Sequence, residues 1–208
     1  LLLSSLTPAY SQKPADKVST SISPVTFELT ALPGETITNV VKVTNVGTEN
    51  ISYVMSVEPF VGNELGQATV VPSSEDKNPE LALKDWVTLT PAKFTLAPKE
   101  QKLVTATIKL PRDAEPGGRY GTILAGTDHS KDAIDGTGAK VGQKVGTLVL
   151  LRVQGVIAYK AYLKSFAATQ KLYAHSPIEF STRIHNESTV HIKPKGFITL
   201  VNIFGKKV

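Results

Sequence analysis

Through the first three quarters of the chain, apolar and polar residues alternate one for one in short runs, the pattern of strands that bury a single face. Ile51, Tyr53, Met55 and Val57 point one way, while Ser52, Ser56 and Glu58 point the other. A run over 26–30 alternates similarly and stops at the turn Pro33-Gly34-Glu35. The next, over 37–45, sets Ile37, Val41 and Val43 on one face with Asn39 as the misfit, and ends at Asn45-Val46-Gly47. Residues 86–90 and 94–96 resume the pattern, a turn follows at Ala97-Pro98-Lys99-Glu100, and a longer run places Val104, Ala106, Ile108 and Leu110 inward. Stretches 120–127 and 144–153 form a last pair, joined by a loop containing Gly and Asp. Residues 59–83, rich in Gly, Pro, Ser and acidic side chains, read as a long connection with one short strand at 68–71. Helical periodicity is nearly absent.

About seven short strands separated by Pro and Gly turns, with no helices between them, predict an all-β fold. We expect one immunoglobulin-like β-sandwich over 18–155, with Val41, Val43, Tyr53, Met55, Trp86, Val104, Ile108, Tyr120 and Val149 buried together. In the segment 110–121 a strand meets a tight Pro116-Gly117-Gly118 corner and then Tyr120, the order of a tyrosine corner, in which the phenol bonds back to the preceding backbone. A plain core tyrosine is the alternative. Beyond 155, strands are expected at 162–167, 178–186 and 196–203, with a hairpin turn at Phe204-Gly205-Lys206-Lys207. Three strands do not close a sandwich, so 156–208 reads as the start of a second, truncated β-sandwich domain. The two units share a strand that runs into an Asn turn, at Thr44-Asn45-Val46-Gly47 and at His185-Asn186-Glu187-Ser188. Only Gln154-Gly155 separates the units, which predicts modules strung end to end through a nearly continuous strand with Gly155 as the bend.

Composition narrows the function classes. There is no cysteine, which removes disulfides, thiolate metal sites and cysteine nucleophiles. The net charge of +5 is local: residues 1–155 hold 15 Lys/Arg against 16 Asp/Glu, and residues 156–208 hold 8 against 2. With few aromatics and no arginine-rich run in the basic quarter, no nucleic-acid partner is expected. Residues 1–17 read as a signal-peptide remnant and linker, because Ala9 and Ser11 place small residues at −3 and −1 of a cleavage site. Export follows as an expectation, and a membrane anchor beyond residue 208 remains compatible with it.

No motif announces catalysis, a cofactor or a metal. His129, His175, His185 and His191 lie in no metalloprotease spacing, although His185 and His191 flank one corner where they could approach each other. Asp128, Asp132 and Asp135-Gly136 fail the spacing of a calcium loop. Glu75-Asp76 and Asp113-x-Glu115 sit in turns and read as solvated charges. Gly117 and Gly118 are read as turn residues, and Trp86 as an anchor of the sandwich core.

The order of Leu32-Pro33-Gly34-Glu35-Thr36, Val43-Thr44-Asn45, Trp86-Val87-Thr88-Leu89-Thr90-Pro91, Leu96-Ala97-Pro98-Lys99-Glu100 and Pro116-Gly117-Gly118-Arg119-Tyr120-Gly121-Thr122-Ile123-Leu124 resembles the N-terminal domain of bacterial WxL-interacting cell-surface proteins, over roughly 18–155. The resemblance implies an exported immunoglobulin-like domain assigned to peptidoglycan, then a second sandwich for a host or surface partner, then a membrane anchor. The second unit here is short and divergent and no anchor is visible. Arg119, flanked by Gly117, Gly118 and Gly121, is the candidate ligand-binding residue, placed to take a muramyl carboxylate bidentately. The expected role is a non-catalytic surface module that binds a cell-wall polymer or a surface protein. The alternative is a chaperone-like or adhesin-stalk domain that acts through a strand edge.

Overall fold

In the computed structural model, residues 19–63, 67–128, 143–170, 173, 177–201 and 204–207 are described. The strands are β1 (Thr20–Ser23), β2 (Thr26–Ala31), β3 (Thr36–Asn45), β4 (Ile51–Glu58), β5 (Phe60–Gly62), β6 (Ala68–Val70), β7 (Val87–Thr90), β8 (Lys93–Leu96), β9 (Gln101–Lys109), β10 (Gly117–Thr127), β11 (Lys144–Val153), β12 (Ala161–Ala168) and β13 (Phe180–Asn186). Nine of them build an immunoglobulin-like sandwich, from a four-stranded sheet ordered β1-β3-β9-β7 and a five-stranded sheet ordered β2-β11-β10-β4-β8. The segment carrying β1 and β2 passes from one sheet to the other, and β2 runs parallel to β11. All the edge strands are short, at four residues for β1, β7 and β8 and six for β2.

Alternation dictates the core. Val41, Val43, Val104 and Ile108 from one sheet meet Tyr53, Met55, Ile123, Val149 and Leu151 from the other. Trp86 is half-buried and packs against this cluster from the short 3-10 turn Lys84–Trp86. The core position expected for Tyr120 is not observed. With Ile123 and Ala125 inside, period two carries Arg119 and Gly121 to the inner face of β10 and Tyr120, Thr122 and Leu124 to the outer one. Asn39, the misfit of β3, does lie on the core-facing side, and its side-chain amide nitrogen has no partner.

Two turns repeat one design. Glu35 N–H donates to Leu32 O at 3.1 Å while its carboxylate accepts Leu32 N–H at 2.8 Å. Glu100 and Ala97 are paired likewise, at 3.0 and 2.8 Å. Each turn has Pro second and a left-handed residue third, Gly34 (φ 82°) and Lys99 (φ 67°), as a type II turn requires. The Asn turns match as well. Asn45 donates to Glu49 O at 2.7 Å and accepts Gly47 N–H at 2.9 Å; Asn186 donates to Val190 O at 2.9 Å and accepts Ser188 N–H at 3.0 Å.

After β11 the chain departs from expectation. Residues 154–160 form no strand, so the units are not joined by a continuous ladder, although Gly155 (φ 151°) does bend the chain. β12 and β13 pair with each other alone, leaving Leu163, Phe166 and Ile184 exposed. Residues 196–200 form no strand, since no neighbouring ladder is offered to them; Val201 bridges Lys207 across the expected turn. No helix among the described residues is long and apolar enough to cross a membrane.

Candidate functional site

The corner that opens β10 is held by its own backbone and by a distant segment. Ala114 N–H donates to Pro111 O at 3.2 Å, closing the turn before Pro116. Gly118 N–H then donates to Thr189 O at 2.7 Å, and the Tyr120 hydroxyl accepts His191 N–H at 2.8 Å. The tyrosine corner is therefore replaced: the phenol bonds a strap 71 residues later, because it stands on the outer face, away from the preceding loop. Lys193 continues the strap and reaches Glu28 on β2 at 2.5 Å. The Asn186 turn sets this strap in place, with Val190 buried beneath it.

Each corner glycine makes room for protein. A Cβ on Gly118 would lie 2.1 Å from the Tyr120 hydroxyl, and one on Gly117 (φ 145°) would lie 3.3 Å from Thr189 O. The space imagined for a ligand at these glycines is thus occupied, and what remains of the Arg119 signal is its charge. Arg119 is 8% exposed, with its guanidinium 5.5 Å from the Trp86 ring centre. Its Nη1 donates to Gly118 O at 3.0 Å and its Nη2 to Glu115 O at 3.5 Å, while Nε has no partner. Among the described residues no carboxylate pairs with it. A buried guanidinium without a counter-charge is unusual, since desolvating an ion is costly unless an opposite charge meets it.

Arg119 lines a cleft of about 530 Å³ between the corner and the strap. Tyr120, His191, Ser188 and Thr189 line it too, and Glu80 and Glu115 contribute the carboxylates. Burial raises the Tyr120 phenol above its usual range despite the hydrogen bond from His191 and the nearby Arg152 and Arg119, so it stays neutral. Burial also lowers His191, aided by Arg152 and Lys193 and opposed by Glu28. Its ring meets Tyr120 edge-on, with centroids 5.9 Å apart.

The structure does not bring His185 and His191 together: His185 stacks near Tyr162 and faces Glu187 at 3.4 Å. His129, His175, Asp132 and Asp135 lie outside the described residues, as does the signal-like segment. Among the described residues no group of His, Asp or Glu is arranged to hold a metal. Glu115, read as a solvated turn charge, is exposed and also lines the cleft. Glu80 and the strap were not anticipated; the repeated Asn turn was the one signal pointing to the strap.

A family model described as WxL Interacting Protein, peptidoglycan binding domain, matches residues 11–126, more than half of the chain. The match includes Trp86, Glu115 and Arg119 but stops before the strap. No curated protein matches significantly in sequence. Similar solved structures include the ASH/PapD-like domain of human CEP192 (17% identical, 75% of this chain and 98% of that one, TM-score 0.39). The class 5 fimbriae chaperone CfaA is 12% identical over 82% of this chain and 81% of its own, with TM-score 0.45. The E. coli chaperone DraB is 8% identical over 91% and 94%, with TM-score 0.43. None of these likenesses bears on ligand or role.

Proposed function

The chain belongs to the WxL-interacting protein family, through that family's peptidoglycan-binding domain, and from this membership we propose that it is a non-catalytic, exported surface module that holds peptidoglycan in the cleft around Arg119. The observation that carries the site assignment is the unpaired charge: Arg119 is buried beside Trp86, lines the cleft, and has an Nε without a partner. An anionic group of the wall would supply the missing counter-charge and form charge-assisted hydrogen bonds. The wall polymer is the partner in this reading, with the basic residues of 156–208 facing anionic wall components.

A strand-edge role for the sandwich would call for a long exposed edge, which its edge strands of four to six residues do not offer. Sedimentation of the purified chain with isolated cell walls tests the proposal. The chain is expected in the pellet, with retention falling about tenfold in Arg119→Lys, which keeps the charge and loses the fork. A chain that stays in the supernatant while folded removes the proposal.

A further inference from the structure

We infer that the Arg119 cleft recognises the peptide stems of peptidoglycan and not its glycan strands, an inference that rests on the wall-binding reading above. Three observations about the cleft converge on a peptide with charges of both signs.

The first is the buried guanidinium. A glycan strand offers hydroxyls and acetamido groups, and the lactyl carboxyl of each substituted muramic acid is consumed in the amide bond to its stem. The free carboxylates of peptidoglycan therefore sit on the stems, and a carboxylate is the natural counter-charge of a buried guanidinium that no carboxylate among the described residues meets.

The second is the pair of carboxylates at the same cleft. Glu80 and Glu115 line it with Arg119, both are exposed, and among the described residues neither side chain is engaged in an ion pair or hydrogen bond. Stems carry a diamino acid whose ammonium suits such a position, whereas the strand has no cationic group. The volume of about 530 Å³ falls within the range typical of small-ligand sites, about 300–1,000 Å³.

The third is the want of an aromatic platform. Pyranose rings are usually gripped against an open aromatic face. The face of Trp86 carries the Arg119 guanidinium, and Tyr120 meets both Phe60 and His191 edge-on, at interplanar angles of 73° and 70°, with its hydroxyl already bonded. Within the cleft, then, the Glu80 and Glu115 carboxylates are free and the rings are committed.

The test uses the full chain in three arms. Purified walls alone, the same walls with soluble L-Ala-γ-D-Glu-L-Lys as competitor, and the same walls with soluble N-acetylglucosamine tetramer, a stem-free glycan, as competitor are each sedimented with it. Retention is expected to fall about tenfold with the tripeptide, the scale of one charge-assisted contact, and to be unchanged by the glycan tetramer. A double variant, Glu80→Gln with Glu115→Gln, changes only exposed side chains and is expected to lose retention several-fold at an unchanged melting temperature. Retention that the tripeptide leaves unchanged, or that the glycan tetramer competes, overturns the stem inference and leaves wall binding standing. No retention on intact walls overturns wall binding and this inference with it.

Discussion

Replacing Gly118 by Ala reverses the sign that strand propensity alone would give. Ala is favoured over Gly in a strand interior by about 0.5–1 kcal/mol, so an unhindered site would gain stability. At position 118, however, the new Cβ would lie 2.1 Å from the Tyr120 hydroxyl and 2.5 Å from Cζ, far inside van der Waals contact. Both side chains stand on the outer face of β10, so the clash spares the core and displaces the ring. The displaced ring loses the His191 N–H at 2.8 Å and its edge contacts with His191 and Phe60 at 5.9 and 6.2 Å. One half-buried hydrogen bond contributes about 1 kcal/mol and each ring pair about 0.5–1, a loss of about 2–3 kcal/mol. Set against the propensity gain, the variant is expected to be about 1–2 kcal/mol less stable, lowering the melting temperature by about 2–8 °C. Urea denaturation measures the total, and amide hydrogen exchange at His191 and Gly118 locates it in the strap. A Gly118→Ala protein as stable as its parent, with unchanged protection at His191, would refute the packing of Tyr120 over this glycine.

The other expectations concern the same elements. Burial holds the folded pKa of His191 below its ordinary 6.5, so the unfolded chain binds more protons between the two values. Strap docking is therefore full above about pH 6.5 and weakens as pH falls toward the lowered value; His191 chemical shifts against pH check this, and His191→Gln should flatten the dependence. Asn39→Val removes an amide nitrogen with no partner from the inner face of β3 and should raise stability by about 1 kcal/mol, read from the urea midpoint. Asn45→Ala strips a fully buried side chain of its bonds to Glu49, Leu96 and Gly47 and should cost about 2–4 kcal/mol. The exposed counterpart Asn186→Ala should cost under about 1 kcal/mol globally, yet speed exchange at Ser188 and Gly118, since it loosens the turn that seats the strap.

Local order was legible in the residues wherever a physical rule acts within a few positions. Alternation assigned β4 and its inward Tyr53 and Met55, because the other face of that strand is polar at Ser52, Ser56 and Glu58, with Val54 the one exception. Pro at the second position and Glu at the fourth marked the turns at 32–35 and 97–100, and the two Asn turns were visible as strands that each run into an Asn. The family resemblance rested on those same turns, and the match over 11–126 bears it out. Where both faces of a strand are apolar, alternation stops choosing. Residues 117–125 of β10 are buried at every position but Tyr120, so only pairing with β4 and β11 decided that Arg119 faces inward and Tyr120 outward. The strap lies beyond sequence reasoning for a related cause: Gly118 meets Thr189, Tyr120 meets His191 and Glu28 meets Lys193 across 71 to 165 residues. No local period encodes such contacts. They exist because two folded surfaces meet, and it is that meeting which turns an arginine in a glycine-rich turn into an unpaired charge lining a cleft.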